Sequence, residues 1–347
     1  MTLPATMRAV LLTGHGGPEK LELKTDVPVP VPGPGEVTIR VGAAGVNNTD
    51  INTRLAWYSK GEGEDEDASW AGAPIRFPLI QGIDVCGRIA AVGDGVDPGR
   101  IGQRVLVEPC LREAAGKELD PPWFFGSECD GGFAEFTRVA ARHAHAVTSD
   151  LSDAELASFP CSYSTAENML TQARVGKGDH VLVTGASGGV GSAAVQLAKA
   201  RDARVTAVTG PSKAGRVKDL GADSTISRND DPVDALGRNA VDVVVDMVAG
   251  DQWPRLLEVL KPFGRYAVAG AIAGPIVELD VRTLYLKDLS FFGCTCPDTK
   301  VFTNLIKRIE EKKVSPLVAA TYDLADIGKA QEMFIAKQFV GKIVLTI

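Results

Sequence analysis

The stretch HVLVTGASGGVGSAAVQLAKA, residues 180–200, decides the fold that the sequence predicts. Its apolar beginning indicates a strand and a glycine-rich turn follows. Small or apolar residues then recur at helical spacing, at Val190, Ala193, Ala194, Leu197 and Ala198. A strand, a glycine turn and a helix in this order direct free backbone N–H groups and the positive end of a helix at a diphosphate. The stretch therefore predicts a phosphate-binding turn.

The glycines of this turn have separate roles in the prediction. Gly188 would let the backbone approach the phosphates, and Gly191 would let the helix pack closely on the strand. A strict G-x-G-x-x-G motif would have glycine at 186, whereas this chain has alanine there and Gly185 one place earlier. On the motif alone, a glycine-rich connection in another kind of α/β protein is the alternative. The cofactor contacts expected from the turn are those of Ala186, Ser187, Gly188, Gly189 and Val190.

The residues that follow the turn keep alternating between strand and helix patterns. Strands are predicted at 204–208, 243–245 and 266–269, with helices over 212–220 and 252–260. Alternation at this spacing is typical of a parallel, doubly wound sheet. The context therefore favours a dinucleotide-binding domain.

Length and composition limit the classes of function. A chain of 347 residues is long enough for two domains, and 45% hydrophobic with 23% charged residues is an ordinary globular composition. The net charge of −7 argues against a nucleic-acid partner. No uncharged apolar run approaches the roughly 18 residues of a membrane helix, and the N-terminus lacks the apolar core of a secretory signal. Six scattered cysteines indicate no disulfide framework, so we expect a cytoplasmic protein.

The N-terminal 150 residues have a different pattern from the middle of the chain. Short alternating strands at 7–13, 36–41, 88–92 and 104–107, separated by Gly and Pro, predict a small irregular barrel. Residues 110–128 read as a long loop. A helix at 301–312 precedes a closing strand, KQFVGKIVLTI, whose pattern fits the first domain better than the second. We therefore expect one domain from 1–155 and 293–347, and a dinucleotide domain from 156–292.

The chain resembles the medium-chain dehydrogenase/reductase superfamily, within it the zinc-free quinone oxidoreductase and enoyl reductase branch. The resemblance is carried by GAAGVNNTDIN (42–52), PLIQGIDVCGRIAAVG (78–93), DGGFAEF (130–136), VTGASGGVG (183–191) and VGKIVL (340–345). It implies a two-domain α/β fold, with a GroES-like β-barrel catalytic domain and a Rossmann domain built on a doubly wound parallel sheet. It also implies a homodimer joined through edge strands, for which 289–292 could serve.

The resemblance also bears on metal binding. Zinc members hold catalytic zinc with two cysteines and a histidine, and the matching positions here are Asn47, Ile83 and Cys161. A catalytic zinc needs three protein ligands and an open position, so one thiol is too few. Zinc members also carry a lobe with four cysteines, where this chain offers only Cys110 and Cys129. We predict no metal site.

The end of the second predicted strand, TAVTGPSK at 206–213, indicates which dinucleotide binds. NAD-specific sites usually place Asp or Glu about 20 residues beyond the glycine motif, against the ribose 2′-hydroxyl. Here Thr209 stands near that position, no acid is present, and Ser212 and Lys213 follow. A hydroxyl with cations suits a 2′-phosphate, so the sequence favours NADPH. The resemblance likewise places Lys213 and Arg228 against that phosphate, whereas Arg216 is interpreted as an exposed helix cation.

The nicotinamide end is predicted from two sources. The resemblance implies that Asn47 and Thr165 lie near the ring. Gly270, Ala271 and Ile272 follow a predicted parallel strand, at the edge of the sheet where ligands collect.

The candidate proton donor is Tyr58, in TDINTRLAWY at 49–58. The resemblance implies it, because the matching tyrosine of enoyl reductases is a candidate acid. A phenol with an ordinary pKa near 10 is neutral at about pH 7 and can donate a proton to an enolate. Asn52 and Asn47 complete the candidate catalytic set, with Asn47 helping to hold the nicotinamide or a substrate oxygen. The alternative is that Tyr58 only packs beside Trp57, with Asn52 equally structural.

A long acidic segment follows Tyr58. Residues 59–73, SKGEGEDEDASWAGA, contain five acids within 62–67 and are interpreted as a solvated surface loop. The alternative is a flap that disfavours polyanionic substrates by repulsion.

These observations predict an NADPH-dependent, metal-independent oxidoreductase that transfers hydride to a quinone or an α,β-unsaturated carbonyl. Oxidation of a plain alcohol produces an alkoxide, which a metal stabilises as a Lewis acid. Reduction of a conjugated C=C bond or a quinone instead collects charge on a carbonyl oxygen, where a modest acid completes the step. A zinc-type alcohol dehydrogenase and a catalytically quiet NADPH-binding protein are the alternatives.

Overall fold

The computed structural model of the chain describes residues 3–59, 69–70 and 74–347. The chain divides into two compact units, one formed by Met1–Cys161, Pro316–Gln338 and Lys342–Ile347, the other by Ser162–Ser315 and Phe339–Gly341. Most of the acidic segment, residues 60–68 and 71–73, lies outside the described residues. The interpretations of that segment as a loop or a flap therefore stay predictions.

The N-terminal part of the first unit consists mainly of strands. Its elements in chain order are β1 (Thr6–Leu12), β2 (Leu21–Pro28), β3 (Glu36–Val46), α1 (Asn48–Arg54), β4 (Leu79–Ile80), β5 (Asp84–Val92), β6 (Arg104–Val107), β7 (Cys110–Ala114), β8 (Lys117–Phe124), β9 (Phe136–Ala140), β10 (Ala144–Ala146) and α2 (Asp153–Leu156).

Helices and strands then alternate. The elements are α3 (Pro160–Gln172), within which the division between the units falls, β11 (His180–Val183), α4 (Gly189–Lys199), β12 (Arg204–Thr209), α5 (Ala214–Asp219), β13 (Ser224–Ser227), α6 (Pro232–Leu236), β14 (Val241–Asp246), α7 (Trp253–Val259), β15 (Leu260–Val268), α8 (Val281–Leu286), β16 (Ser290–Gly293) and α9 (Thr299–Glu310). The chain closes with β17 (Val318–Asp323), α10 (Ile327–Ala336) and β18 (Lys342–Thr346) of the first unit.

The first unit is built on a seven-stranded sheet with the path β10-β6-β5-β3-β18-β17, and β9 also pairs with β3. β18 pairs antiparallel with β3, which attaches the end of the chain to the N-terminal strands. A smaller sheet has the order β2-β1-β4. Val37, Ile39 and Val41 of β3 are at most 3% exposed, but Thr38 between them is also 0% exposed. β3 is therefore covered on both faces along most of its length, rather than half-buried with a period of two.

The second unit contains a six-stranded parallel sheet with the order β13-β12-β11-β14-β15-β16. This is the doubly wound order, and the strand order reverses between β11 and β14. β11 supplies Val181, Leu182 and Val183 to the core at 0% exposed, as strands covered on both faces require. The predicted doubly wound parallel sheet is confirmed.

Helix α4 packs its predicted apolar face against this sheet. Ala193, Ala194, Leu197 and Ala198 are all 0% exposed, whereas Val190 at the start of the face is half-buried. The small residues allow the helix axis to lie close to the strands, because no long side chain separates them.

Two sequence predictions about the boundaries of elements differ from the structure. Residues 110–128, predicted as a loop, contain the antiparallel pair β7–β8. The two prolines at 121 and 122 obscured β8, yet a two-stranded ribbon has unpaired edges at which proline is tolerated. The chain re-enters the first unit at Pro316 rather than at 293, because β16 and α9 belong to the second unit.

A bilayer-crossing helix is absent from the described part of the chain, where no helix is both long and apolar enough.

Candidate functional site

The glycine turn between β11 and α4 has the geometry of a phosphate-binding turn. Gly185 has a φ of +56°, a left-handed conformation that glycine adopts at little cost. Gly188 is the N-cap of α4, so the helix begins at Gly189 with its first N–H groups directed out of its N-terminus. Ser187 is partly exposed and Gly188 is exposed. Of the predicted contact residues 186–190, Ala186 and Gly188 already donate their N–H groups to the carbonyl oxygens of Val208 and Gly185. The N–H groups left for a ligand are therefore those of Ser187, Gly189 and Val190.

Gly191 is required by close packing. A methyl group at this position would overlap the carbonyl oxygen of Gly185 and lie 2.7 Å from the Cα of Ala186. At Gly188 the same methyl group would meet its nearest neighbour, the Gly185 oxygen, at 3.4 Å, an ordinary contact. The fold itself therefore requires glycine at 191. At 188 the protein leaves room for a methyl group, so only a ligand that approaches the turn would require glycine there.

The end of β12 brings the predicted 2′-phosphate residues together. Thr209 is 3% exposed, and its Oγ1 has no hydrogen-bond partner among the described residues. The N–H of Arg228 donates to the carbonyl oxygen of Thr209 over 3.0 Å, which joins the end of β13 to the end of β12. Ser212 and Lys213 lie in a short 3₁₀ turn, Pro211–Lys213, directly after the strand.

Lys213 and Arg228 form a local concentration of positive charge. Partial burial, together with the nearby charge of Arg228, lowers the pKa of the Lys213 ammonium. Like charges brought together in this way are stabilised by a bound anion. With the glycine turn and the unpartnered hydroxyl of Thr209, these residues fit a dinucleotide with a phosphorylated ribose.

Gly270, Ala271 and Ile272 lie beyond the carboxyl end of β15, next to the residue that follows β14. The N–H of Ile272 is 3.4 Å from the carbonyl oxygen of Met247, and a Cβ at Gly270 would lie 3.0 Å from the same oxygen. Thr165 lies on α3 of the same unit and is half-buried. The positions of both groups stay compatible with the predicted nicotinamide contacts.

A polar network at the point where the strand order reverses was not predicted. The hydroxyl groups of Thr184 and Tyr266 each donate to the buried carboxylate of Asp246 over 2.5 Å. Asp246 also accepts from the N–H groups of Val248 and Ala249. The network fixes the ends of β11, β14 and β15 relative to one another, so it supports the edge at which ligands collect.

In the first unit, Asn47, Asp84 and Lys342 form a buried polar group, here called the lysine cluster. Lys342 Nζ lies 2.7 Å from Asp84 Oδ2, and the two side chains are 3% and 0% exposed. Nζ also donates to Asn47 Oδ1. The amide nitrogen of Asn47 donates to Asp84 Oδ2 over 2.9 Å and to the Gly45 carbonyl oxygen over 3.3 Å.

Sheet pairing explains how distant parts of the sequence form this cluster. Strand β3 lies between β5 and β18, so their ends are neighbours. Gly45 is paired with Asp84, and Val46 is paired with Ile343. Asn47 therefore follows β3 at the end of the sheet where β5 and β18 both begin. Lys342 was missed as a site residue, although one charge inside the apolar run VGKIVL was a signal that could have found it.

Asp50 and Cys161 extend the cluster. Asp50 accepts from the N–H of Asn47 over 2.7 Å, and Asp84 Oδ1 accepts from the N–H of Cys161 over 2.6 Å. Burial raises the pKa of the Asp50 carboxyl to about 7, although the Asn47 N–H and the charge of Lys342 act in the opposite direction.

Tyr58 lies next to this group. Nδ2 of Asn52 lies 3.5 Å from its hydroxyl, a long contact. Burial raises the pKa of the phenol, with Cys161 and Asp50 contributing in the same direction. The phenol therefore stays neutral around pH 7, as a proton donor must. Asn52 contacts Tyr58 rather than the lysine cluster.

The ring of Tyr58 is held by aromatic neighbours, one of them predicted. Trp57 meets it edge-on, with ring centroids 5.4 Å apart. Trp70, which the sequence did not single out, stacks parallel to it with ring centroids 6.0 Å apart. Trp70 in turn stacks on Phe124, with ring centroids 4.3 Å apart. These contacts restrict the phenol ring without using its hydroxyl.

The residues at the zinc-ligand positions do not fit a zinc ion. Ile83 is hydrocarbon and 1% exposed, both amide hydrogens of Asn47 are used within the cluster, and Lys342 adds a cation beside it. Cys161 alone could supply a ligand, whereas catalytic zinc takes three from the protein. Among the described residues, no group of three or more His, Cys, Asp or Glu side chains has an arrangement that could hold a metal ion.

His143 and His145 share a structural partner. His143 Nδ1 lies 2.8 Å and His145 Nε2 lies 3.3 Å from Glu108 Oε2. The N–H of Arg112 donates to His143 Nε2, so the geometry assigns the ring proton to Nδ1. Burial alone would raise the pKa of Glu108, but the two histidines outweigh it and lower the pKa to about 2.

Two family models match the chain. The model described as "Alcohol dehydrogenase GroES-like domain" matches residues 33–149, and the model described as "Zinc-binding dehydrogenase" matches residues 189–311. The first lies in the unit built on the seven-stranded sheet, and the second lies in the unit with the parallel sheet.

Curated relatives cover nearly the whole chain. The quinone oxidoreductase of Lama guanicoe is 30% identical over 98% of this chain and 97% of its own length. The acryloyl-coenzyme A reductase of Metallosphaera sedula is 31% identical over 98% of this chain and 100% of its own length.

Solved structures are similar over the same extent. A protein of Sinorhizobium meliloti 1021, for which alcohol dehydrogenase activity has been proposed, is 46% identical with a TM-score of 0.90, covering 99% of this chain and 97% of its own. A variant of the crotonyl-CoA carboxylase/reductase AntE in complex with NADP is 25% identical with a TM-score of 0.86, covering 100% and 96%.

Proposed function

Because the chain belongs to the medium-chain dehydrogenase/reductase superfamily, and a structurally similar reductase binds NADP, we propose that it is an NADPH-dependent, metal-independent reductase. Its substrate is a quinone or an α,β-unsaturated carbonyl compound. We further propose that it acts as a homodimer.

The observation that supports metal independence is the chemistry of the lysine cluster. A buried ammonium held by Asp84 and Asn47 stands among positions that supply zinc ligands in other members of the superfamily. A metal ion placed there would meet a like charge and one thiol, rather than three ligands. The Lama guanicoe relative is named as a quinone oxidoreductase, and the Metallosphaera sedula relative is named as a reductase of an acryloyl thioester.

The residues of the second unit would hold the dinucleotide. The backbone N–H groups of Ser187, Gly189 and Val190 would bind the diphosphate, because those of Ala186 and Gly188 already donate to the carbonyl oxygens of Val208 and Gly185. Ser212, Lys213 and Arg228 would bind the 2′-phosphate. When bound, the nicotinamide supplies the hydride. In the first unit, Tyr58 would then donate the proton, since its phenol is neutral and held in place by stacking.

The experiment is a turnover assay of the purified protein with quinones, enones and enoyl thioesters, each with NADPH and with NADH. We expect turnover with NADPH and little with NADH. Lys213→Ala and Arg228→Ala should each weaken NADPH binding by about tenfold and leave NADH binding unchanged, because each removes one charged contact to phosphate. Arg216→Ala, which removes an exposed cation of α5, is the matched control.

Three results would contradict the proposal in separable ways. A preference for NADH would refute the cofactor assignment. Tight NADPH binding without turnover of any acceptor would indicate a catalytically quiet binding protein.

The third is stoichiometric zinc with alcohol oxidation, which would support a zinc-type alcohol dehydrogenase, the activity that has been proposed for the Sinorhizobium meliloti relative. Elemental analysis of the purified protein decides it.

A further inference from the structure

Lys342 is a cation whose position is fixed. Its ammonium is bound by Asp84 Oδ2 at 2.7 Å and by Asn47 Oδ1, and its side chain is 3% exposed. An ammonium group carries three N–H donors. Two are used in the cluster, and the third has no partner among the described residues.

The neighbours of Lys342 have no donor to offer a ligand. Both amide hydrogens of Asn47 are taken, by the Gly45 carbonyl oxygen and by Asp84. Asp84, as a carboxylate, only accepts, and its second oxygen is taken by the N–H of Cys161. Lys342 is therefore the one member of the lysine cluster with an N–H still available.

The proton donor proposed above is contacted by the helix that starts at the cluster. Asn47 is the N-cap of α1, and Nδ2 of Asn52 on that helix lies 3.5 Å from the Tyr58 hydroxyl. One end of the first sheet therefore carries a fixed cation, and the helix that leaves this end contacts a neutral phenol. A hydride acceptor needs both, since charge develops on one atom and a proton is delivered to another.

We propose that Lys342, rather than Asn47, is the catalytic residue that stabilises the oxyanion formed on the substrate, a role that rests on the proposed function. As hydride forms a C–H bond at the β-carbon of an enone, the electron pair of the C=C bond moves and the carbonyl oxygen becomes an enolate oxygen. The free N–H of Lys342 donates to that oxygen and keeps its proton. The phenol O–H of Tyr58 then breaks, its proton forms the C–H bond at the α-carbon, and the phenolate regains a proton from water.

For a quinone the balance is the same, with the proton delivered to oxygen. A bound nicotinamide would supply a hydride, which is one proton with two electrons, and the substrate would gain it together with the proton of Tyr58.

The test compares two variants that differ in the cation. K342R keeps a cation beside Asp84, whereas D84N/K342M removes the cation without leaving a lone buried carboxylate. In the double variant the amide introduced at position 84 retains an oxygen for the N–H of Cys161. Thermal unfolding and NADPH affinity are measured first, and the two variants should differ in NADPH affinity by less than about threefold.

The decisive measurement uses 4-nitrophenol as a probe, because its phenolate resembles the charged product of quinone reduction. Its binding in the presence of NADP is followed across its titration by the absorbance of the phenolate. We expect the wild type and K342R to bind the phenolate in preference to the phenol, and D84N/K342M to lose about tenfold or more of that preference. The kcat of D84N/K342M should also lie about 100-fold or more below that of K342R.

Equal phenolate preference in K342R and D84N/K342M, or no preference in the wild type, would overturn the role of Lys342. Because the probe requires no turnover, this outcome is distinct from failure of the proposed reductase activity. If Lys342 and Asp84 had a purely structural role, replacing both would change stability and leave the phenolate preference intact.

Discussion

Lys342 and Asp84 lie far apart in the sequence, yet their charged atoms are 2.7 Å apart and neither side chain is more than 3% exposed. The desolvation of both charges is offset by their attraction and by the hydrogen bonds that Asn47 and Cys161 contribute. Each charge is therefore tolerated in the interior because of the other.

Removing one member of this pair should destabilise the first unit. We expect Lys342→Met alone to lower the free energy of unfolding by about 3–5 kcal/mol, since it leaves a buried carboxylate uncompensated. The double variant with Asp84→Asn should recover most of this loss. Urea unfolding at neutral pH measures both, and a single variant as stable as the double one would show that Asp84 does not depend on Lys342.

Tyr58→Phe should reduce turnover while leaving the fold intact. The phenylalanine ring keeps the stacking on Trp70 but lacks the proton, so kcat should fall by about 100-fold or more. Activity that depends on a neutral phenol is lost as pH rises through its pKa, which burial raises above the ordinary value. The wild type should therefore show no alkaline loss from Tyr58 until above about pH 10.

Tyr285→Phe, at a 59% exposed position of the other unit, is the matched control for Tyr58→Phe. An unchanged kcat in the Tyr58 variant would assign the proton to another group.

Gly191→Ala and Gly188→Ala should separate folding from cofactor binding. The methyl group at 191 meets backbone atoms that cannot move aside, so we expect a loss of about 1–3 kcal/mol of stability. The methyl group at 188 makes only an ordinary contact within the protein. It would nevertheless obstruct the diphosphate, so NADPH affinity should fall by about tenfold or more with little change in Tm. Calorimetry and NADPH titration of both variants check this, and a large drop in Tm for Gly188→Ala would contradict it.

Glu108→Gln should reveal a stability that depends on pH. The pKa of Glu108 is lowered to about 2, so the native state binds protons less readily than the unfolded chain. The resulting stability, on the order of 3 kcal/mol, is present above the ordinary pKa of about 4.5 and is lost as pH falls towards 2. The difference between wild type and Glu108→Gln in urea unfolding should therefore shrink below about pH 4.5.

Glu118→Gln, at a 76% exposed carboxylate on β8, is the control and should change stability little at any pH. A pH-independent difference for Glu108→Gln would mean that ionisation of Glu108 does not contribute to the stability.

Local sequence was sufficient to predict the parts of this protein that depend on neighbouring residues. The glycine turn at 185–191, the apolar face of α4 and the alternation of strands with helices follow from backbone geometry and from local periodicity, so the order of residues alone predicts them. The hairpin β7–β8 was missed because its prolines resemble those of a loop.

The lysine cluster, by contrast, arises only from tertiary structure. Asn47 was predicted to contact a ligand, but the sheet order β5-β3-β18 places it between Asp84 and Lys342, where its amide is fully used. A sequence pattern reports which face of a strand is buried, and it does not report which strand will lie alongside. Pairing between distant strands is set by the packing of the whole sheet, and here that pairing brings a cation to the end of β3.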